Sequence, residues 1–308
     1  MTRPFPASPA VELRHVSKRF GDMHALRDIS LDVRPGEVVA ILGPNGAGKT
    51  TAISIMLGIR QPTSGVARIF GLEPRDIHGR SQCGVMLQDT GLPWNLRVGE
   101  LVALFRTYYP APLPMAEIME TAGIANLARV RAGDLSGGQR QRLAFALAIC
   151  GNPSLLFLDE PTTGLDVDAR HGFWREMKRR AGNGNSIVLT THYMEEAEAL
   201  ADRIVIVHEG TIVADAPADA LTSRVRGKHV RLIVPDGITV TAFAGLPVDR
   251  LEIAGTNVTF VTARPEEVLR ALWQRGVTYE MQEIRGAALE DAVSALTHET
   301  EIDHAGIA

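Results

Sequence analysis

Residues 43 to 51 read Gly-Pro-Asn-Gly-Ala-Gly-Lys-Thr-Thr and follow directly on the apolar run Val38-Val39-Ala40-Ile41-Leu42. Glycines at 43, 46 and 48 let the backbone turn with its amide N–H groups facing inward, and a helix starting after the loop adds the positive end of its dipole. Such a concavity suits a polyphosphate. We assign the whole loop, Gly43, Pro44, Asn45, Gly46, Ala47, Gly48, Lys49, Thr50 and Thr51, to the binding of ATP or GTP. Lys49 is expected to reach the β- and γ-phosphates as a point charge, and the Thr50 hydroxyl to hold a Mg2+ bridging the same oxygens. The run Ala52-Ile53-Ser54-Ile55-Met56-Leu57 continues as the expected helix.

Working outward, 308 residues with 45% hydrophobic content are enough for one substantial core and a second, smaller one. A formal net charge of −4 argues against a general basic surface for nucleic acid, so no nucleic-acid partner is expected. The two cysteines, Cys83 and Cys150, lie far apart without metal-ligand spacing and read as small buried side chains in a reducing compartment. The sequence has no apolar run of about 18 residues and its N-terminus lacks a secretory apolar core, so any membrane association runs through something else.

The Pro-rich start, 1–10, is expected to be disordered. Val11-Glu12-Leu13 and Ile29 to Val33 alternate as half-buried strands. From about Gln88 to Asp134 the pattern is helical, with Leu101, Leu104 and Phe105 at helical spacing and then Ile118, Met119 and Ala122, which reads as a helical insert. Ser136 opens a further helix that Gly151 and Pro153 stop. Strand, helix and strand then recur at Leu155 to Leu158, Arg170 to Arg180 and Ser186 to Thr190, the alternation of a parallel sheet covered by helices, hence α/β. After Ala214 the character changes. Strand-like runs at Val248 to Ile253 and Val258 to Thr262, with helices at Glu266 to Gln274 and Leu289 to Leu296, predict a small α+β domain over 225–300 and a loose tail over 301–308.

Leu155-Leu156-Phe157-Leu158-Asp159-Glu160 is an apolar strand ending in two carboxylates. Ligands of open parallel sheets sit beyond the carboxyl ends of strands, where Asp159 is suited to support Mg2+ and Glu160 to polarise an attacking water. Leu135-Ser136-Gly137-Gly138-Gln139 is an N-capped helix start whose glycines leave N–H groups free for an anion.

Taken with the loop at 43 to 51 and Asp159-Glu160, Leu135 to Gln139 resembles the ATP-binding subunit of an ABC transporter, over roughly residues 11 to 215. The resemblance implies a P-loop NTPase core with an N-terminal β subdomain, an ATPase domain over 11–224 with its insert at about 88–134, and ATP and Mg2+ as cofactors. It implies that Gln88 is the lid glutamine that touches Mg2+ and the attacking water and relays the state of the site to the membrane partner. It implies that Gly164-Leu165-Asp166 crosses between two subunits, that His192 contacts the γ-phosphate, and that Phe20 stacks on adenine. The catalytic set is then Glu160, His192 and Gln88, and the metal set is Thr50, Gln88 and Asp159. Head-to-tail dimerisation is implied too, with Ser136, Gly137, Gly138 and Gln139 of one subunit closing over the γ-phosphate held by the other. Thr191 to Glu198, Cys150 to Pro153 and Leu289 to Ala292 are similar to drug-exporter ATPases of the daunorubicin-resistance type, whose permease is a separate polypeptide. That likeness places the chain peripherally on the cytoplasmic face of the cell membrane and gives it a small hydrophobic or drug-like cargo. Two other readings remain open: an importer ATPase with a C-terminal regulatory domain, and a soluble ABC ATPase acting in translation or DNA repair.

Overall fold

The computed structural model describes residues 8–87, 91–224, 227–286, 289–291 and 293. The chain divides into two compact units between Pro217 and Ala218. The sequence expectation had the change at 224. The helix Ala218–Arg224 belongs to the second unit, since Pro217 removes a backbone donor and ends the preceding strand.

The first unit opens with β1 (Val11–Phe20) and β2 (Met23–Val33), followed by β3 (Val38–Leu42), α1 (Lys49–Met56), β4 (Ser64–Ile69), α2 (Ile77–Arg80) and β5 (Cys83–Met86). The insert contributes α3 (Val98–Arg106) and α4 (Met115–Thr121), after which come α5 (Gly137–Ile149), β6 (Leu155–Asp159), α6 (Val167–Gly182), β7 (Ser186–Thr190), α7 (Met194–Leu200), β8 (Arg203–His208) and β9 (Thr211–Ala216). β2, β1 and β4 form a three-stranded antiparallel sheet in that order. A six-stranded sheet runs β5-β6-β7-β3-β8-β9, parallel throughout except for β9.

Burial explains the choice of residues. Every position of β3, β6 and β7 is buried, as strands covered on both faces require, and their sequences are accordingly apolar apart from Asp159 at the end of β6 and Ser186 and Thr190 at the ends of β7. In β1 and β2 buried and exposed positions mix, because one face of the small sheet meets solvent. Val11, Leu13 and Val16 of β1 share one core with Ile53 and Met56 of α1, Val39 and Ile41 of β3, and Phe157 of β6. Arg203 clamps the two sheets: its guanidinium donates to Glu37 at 2.9 Å, pairs with Asp215 at 3.0 Å, and bonds the backbone carbonyl of Asp32. The Phe145 and Phe173 rings meet edge-on at 5.0 Å and pack α5 on α6.

One local expectation changes. Ala10, assigned to the disordered start, is fully buried. Its N–H donates to the Val33 carbonyl at 2.7 Å and its carbonyl accepts from Phe70, so pairing with β2 holds the chain before β1 begins; residues 1–7 lie outside the described residues. Cys83 and Cys150 are buried as expected, and burial pushes each thiol up to about 12, which keeps both in the unreactive protonated form. Among the described residues no helix is long and apolar enough to cross a membrane.

The second unit holds α8 (Ala218–Arg224), β10 (Lys228–Ile233), β11 (Arg250–Ala254), β12 (Asn257–Thr262), α9 (Pro265–Gln274) and β13 (Glu280–Gly286). Its strands form an antiparallel sheet ordered β11-β12-β10-β13. Val268, Leu269 and Leu272 of α9 share a core with Val230, Val258 and Phe260 of the sheet. The strands β10 and β13 had no clear sequence signal, since charged residues interrupt both. Positions 289–291 and 293 are helical, His229 Nε2 lies 2.6 Å from Asp291 Oδ2, and the remainder of the helix expected there, with the tail over 301–308, lies outside the described residues.

Phe157 is fully buried in β6, two residues before the acidic tip. Phe157→Ala is expected to destabilise the first unit by about 3–5 kcal/mol through lost burial and the cavity left behind. The check is the midpoint of guanidinium unfolding, and a wild-type midpoint would show that β6 is not a core strand.

Candidate active site

The site begins where β3 ends. Gly43 has φ 156°, and a Cβ placed on it would lie 2.1 Å from the Val207 carbonyl oxygen; one on Gly48, at φ 110°, would lie 2.6 Å from the Ala25 carbonyl oxygen. Only glycine fits at either place, so the loop lies against β8 and β2 with its backbone exposed inward. Gly48 caps α1 without a side-chain bond, leaving the first N–H groups of that helix for an anion. Lys49, 7% exposed, lies across the loop and donates to the carbonyls of Gly43 at 2.7 Å and Pro44 at 3.0 Å. Burial lowers its pKa, and the charges of Glu160 and Asp159 oppose that shift.

These atoms line a cleft of about 960 Å3, with Gly43, Pro44, Asn45, Gly46, Gly48, Lys49, Thr50 and Thr51 on one side and Glu160 and His192 on the other. Ala47 is in the loop but not in the wall; its side chain packs into the core. Met23, His24, Ala25 and Arg27 of β2, together with Glu209, complete the lining, and nothing in the sequence marked them. Phe20 is not among the lining residues. Lys18 Nζ lies 5.2 Å and Arg60 Cζ 5.1 Å from its ring centroid, and its strand partner Met23 is part of the wall. Gln88 lies outside the described residues.

Asp159 is 2% exposed. One of its oxygens accepts from Thr190 Oγ1 and the other lies 3.3 Å from Thr50 Oγ1. Thr50 and Asp159 thus present adjacent oxygen donors beside the phosphate loop, hard donors of the kind that could hold Mg2+. Glu160 follows in a left-handed backbone conformation, φ 49°, that an L-residue other than glycine, Asn or Asp rarely adopts. What holds it there is local: its N–H donates to the Thr190 carbonyl at 3.0 Å and to Thr190 Oγ1 at 3.1 Å, while the Gln141 amide donates to the carbonyls of Glu160 and Pro161 at 3.0 and 2.9 Å. The turn aims the Glu160 carboxylate at His192, whose Nδ1 lies 3.5 Å from Oε1, and Thr163 Oγ1 reaches Oε2 at 3.3 Å. Thr190 and Gln141 were invisible in the sequence, because a threonine in a strand and a glutamine on a helix carry no signal until the register Asp159↔Thr190 is known.

The other motif residues lie elsewhere. Ser136 caps α5, its Oγ accepting from the Gln139 N–H at 3.3 Å and its own N–H donating to Gln139 Oε1 at 2.9 Å. Asp166 caps α6 by accepting from the Ala169 N–H at 2.8 Å. A Cβ on Gly138 would lie 3.2 Å from the Gly164 carbonyl oxygen, so the start of α5 packs against the loop that leads into α6. None of Ser136, Gly137, Gly138, Gln139 or Asp166 lines the cleft. A single chain brings the loop, the acidic strand end and His192 together, but not Ser136 to Gln139.

Comparison with known proteins agrees with this geometry. Residues 26–163 match the model of the ABC transporter family. A Nod factor export ATP-binding protein I from Burkholderia lata is 36% identical over 302 residues, covering 95% of this chain and 98% of that protein. Its counterpart in Cupriavidus pinatubonensis is 36% identical over 305 residues, covering 96% and 93%. Among solved structures, an ATP-binding subunit of an ABC transporter is 28% identical with a TM-score of 0.64, covering 70% of this chain and 92% of that one. A dimeric ATP-binding cassette in a post-hydrolysis state bound to ADP and Pi is 27% identical with a TM-score of 0.62, covering 67% and 98%. A phosphate loop, a carboxylate pair and a histidine gathered at the strand ends, on a fold and a sequence shared over nearly the full length of such relatives, make this chain a member of the ATP-binding subunits of ABC transporters, an ATPase.

Proposed function

We propose that this subunit hydrolyses ATP in a head-to-tail pair and so powers export of a small hydrophobic or drug-like molecule through a separate membrane permease, from the cytoplasmic face of the membrane. The observation that carries the chemistry is the Glu160 carboxylate, 15% exposed, held in a strained turn beside the phosphate loop and within 3.5 Å of His192. Full-length likeness to subunits named for export supports the direction of transport.

In this reading the loop N–H groups and Lys49 cradle the β- and γ-phosphates, and Lys49 exchanges its two carbonyl partners for phosphate oxygens. Thr50 and Asp159, joined by Gln88, would hold Mg2+, which supplies neutralisation of charge on the β- and γ-oxygens. Glu160 accepts a proton from a water that attacks the γ-phosphorus in line as the bond to the β-phosphate oxygen breaks, and ADP departs with the electron pair. His192 donates a hydrogen bond to the γ-phosphate. Ser136, Gly137 and Gly138 of the second copy close the site, with Gln139 and Asp166 at its edge. Their position outside the cleft of a single chain supports that division, because one chain carries one loop and one Ser136 segment.

The permease side is assigned to the insert and its neighbourhood. Trp94 is 44% exposed, with the Arg140 guanidinium over its ring at 5.6 Å, and Ile77 and Tyr108 are exposed to 71% and 66%. Large apolar side chains at the surface of the unit that binds nucleotide fit a partner that must sense closure. A ligand shifts a two-state permease only through contacts that differ between the states, which is why the segment around Gln88 is the natural relay.

Three measurements test these assignments. Lys49→Ala is expected to weaken ATP binding by about 1.5–3 kcal/mol, roughly ten- to a hundredfold, and to abolish hydrolysis; near-normal activity would remove Lys49 from the phosphate site. Glu160→Gln retains shape and loses charge, so it is expected to bind ATP, stop turning over, and accumulate an ATP-bound pair visible by light scattering. Wild-type hydrolysis in that variant would place the base elsewhere. The pair Trp94→Ala and Leu96→Ala, reconstituted with the permease in inverted vesicles, is expected to lose ATP-driven uptake of the cargo while basal ATPase persists. Uptake without a permease, or movement in the import direction, would overturn the export reading.

A further inference from the structure

Helix α6 and the segment from Thr191 to Glu196 are joined at two points that the reading of the catalytic set leaves unexplained. The first is a stack. Arg170, one turn into α6, holds its guanidinium over the Tyr193 ring with Cζ 4.5 Å from the centroid, and its Nε is buried without a hydrogen-bond partner, so the ring face receives this charge. The Tyr193 ring lies in turn against the His192 imidazole, with centroids 4.1 Å apart and planes inclined at 39°, and His192 Nδ1 is 3.5 Å from Glu160 Oε1.

The second point lies one turn further along each element. Glu196 is fully buried, and its Oε1 accepts from Trp174 Nε1 at 3.1 Å. Burial pushes its carboxyl pKa up, while Thr191, Trp174, Thr162 and the Arg170 charge pull it down. Positions 170 and 174 of α6 therefore grip positions 193 and 196 on the far side of His192. The imidazole itself is 46% exposed, so nearly half of its surface has no packing to fix the rotamer, and the Tyr193 ring is the aromatic face against which it rests. A ring that must be ordered at each turnover costs entropy that a preset ring does not.

We propose that Arg170 and Tyr193, secured by Trp174 and Glu196, are positioning residues that hold the His192 ring at Glu160 and tie its orientation to α6. The inference rests on His192 acting at the γ-phosphate. It adds that an arginine–tyrosine stack, with a buried carboxylate behind it, sets where the imidazole points, and because Asp166 caps the start of α6, movement at that end of the helix reaches His192 through the stack.

The test is steady-state ATPase kinetics on the full chain with Mg-ATP. Tyr193→Ala is expected to lower kcat about tenfold while KM for ATP stays within about twofold, since orientation and not ground-state binding is lost. Tyr193→Phe retains the ring and is expected to restore wild-type kcat. Arg170→Met, which retains the length of the stem and removes the charge, is expected to lower kcat with the same unchanged KM. In a His192→Ala background neither Tyr193→Ala nor Arg170→Met should cause a further loss, because the group they position is gone. The proposal falls if the losses multiply in that background as they do in the wild type, if KM rises with kcat retained, or if Tyr193→Phe is as defective as Tyr193→Ala. A His192→Ala variant with wild-type kcat would instead sink the underlying role of His192. Arg170→Met carries the cycle by itself should Tyr193→Ala not fold.

Discussion

A carboxylate with 2% of its surface exposed organises this molecule. Asp159 is bonded on one oxygen by Thr190 and faced on the other by Thr50, so a single buried charge ties the tip of β6 to the end of β7 and the start of α1. An ionised carboxylate is costly to bury unless its lone pairs are filled, and here two hydroxyls from different elements fill them. The arrangement requires a parallel register that puts Asp159 opposite Thr190, and it requires the phosphate loop to turn tightly enough that α1 starts beside β6. A one-residue slip of β6 would turn the carboxylate into the apolar layer beneath the helices.

The chemistry follows from the same constraint. Thr190 also accepts from the Glu160 N–H, and that bond, with Gln141 on the carbonyl side, holds Glu160 at a positive φ. The strain has a consequence: an extended Glu160 would continue the line of β6, whereas the turned residue presents its carboxylate to His192 across the cleft. Two consecutive carboxylates thus sit in opposite environments, Asp159 enclosed and Glu160 facing the cleft.

The motifs differ in where they sit within one chain. Ser136 and Gln139 satisfy each other as a capping box and Asp166 caps α6, so both motif starts are already stable helix ends within one chain. Neither needs the nucleotide to fold, and neither reaches the cleft of its own chain.

The sequence alone determined the nucleotide loop, the acidic strand end, the capped helix at Ser136 and the α/β alternation, because each is written in contiguous residues whose local chemistry has one reading: glycines where only glycine turns, apolar runs where both strand faces are covered, a serine with a glutamine three residues on. It also carried the resemblance to ABC ATP-binding subunits through those same short segments. Other features depended on residues far apart in the chain. Thr190 and Gln141 became parts of the site only when β6, β7 and α5 were brought side by side; the cleft wall of Met23, His24, Ala25 and Arg27 arose because β2 passes beside the loop; and Phe20, paired with Met23 across the β1–β2 turn, has Lys18 and Arg60 at its ring. The division after Pro217 and the strands β10 and β13 belong to the same class, since strands interrupted by charged residues show their pairing only in the assembled sheet. Periodicity reports which face of an element is buried, whereas hydrogen bonds between elements depend on register and packing, and those the tertiary structure decided.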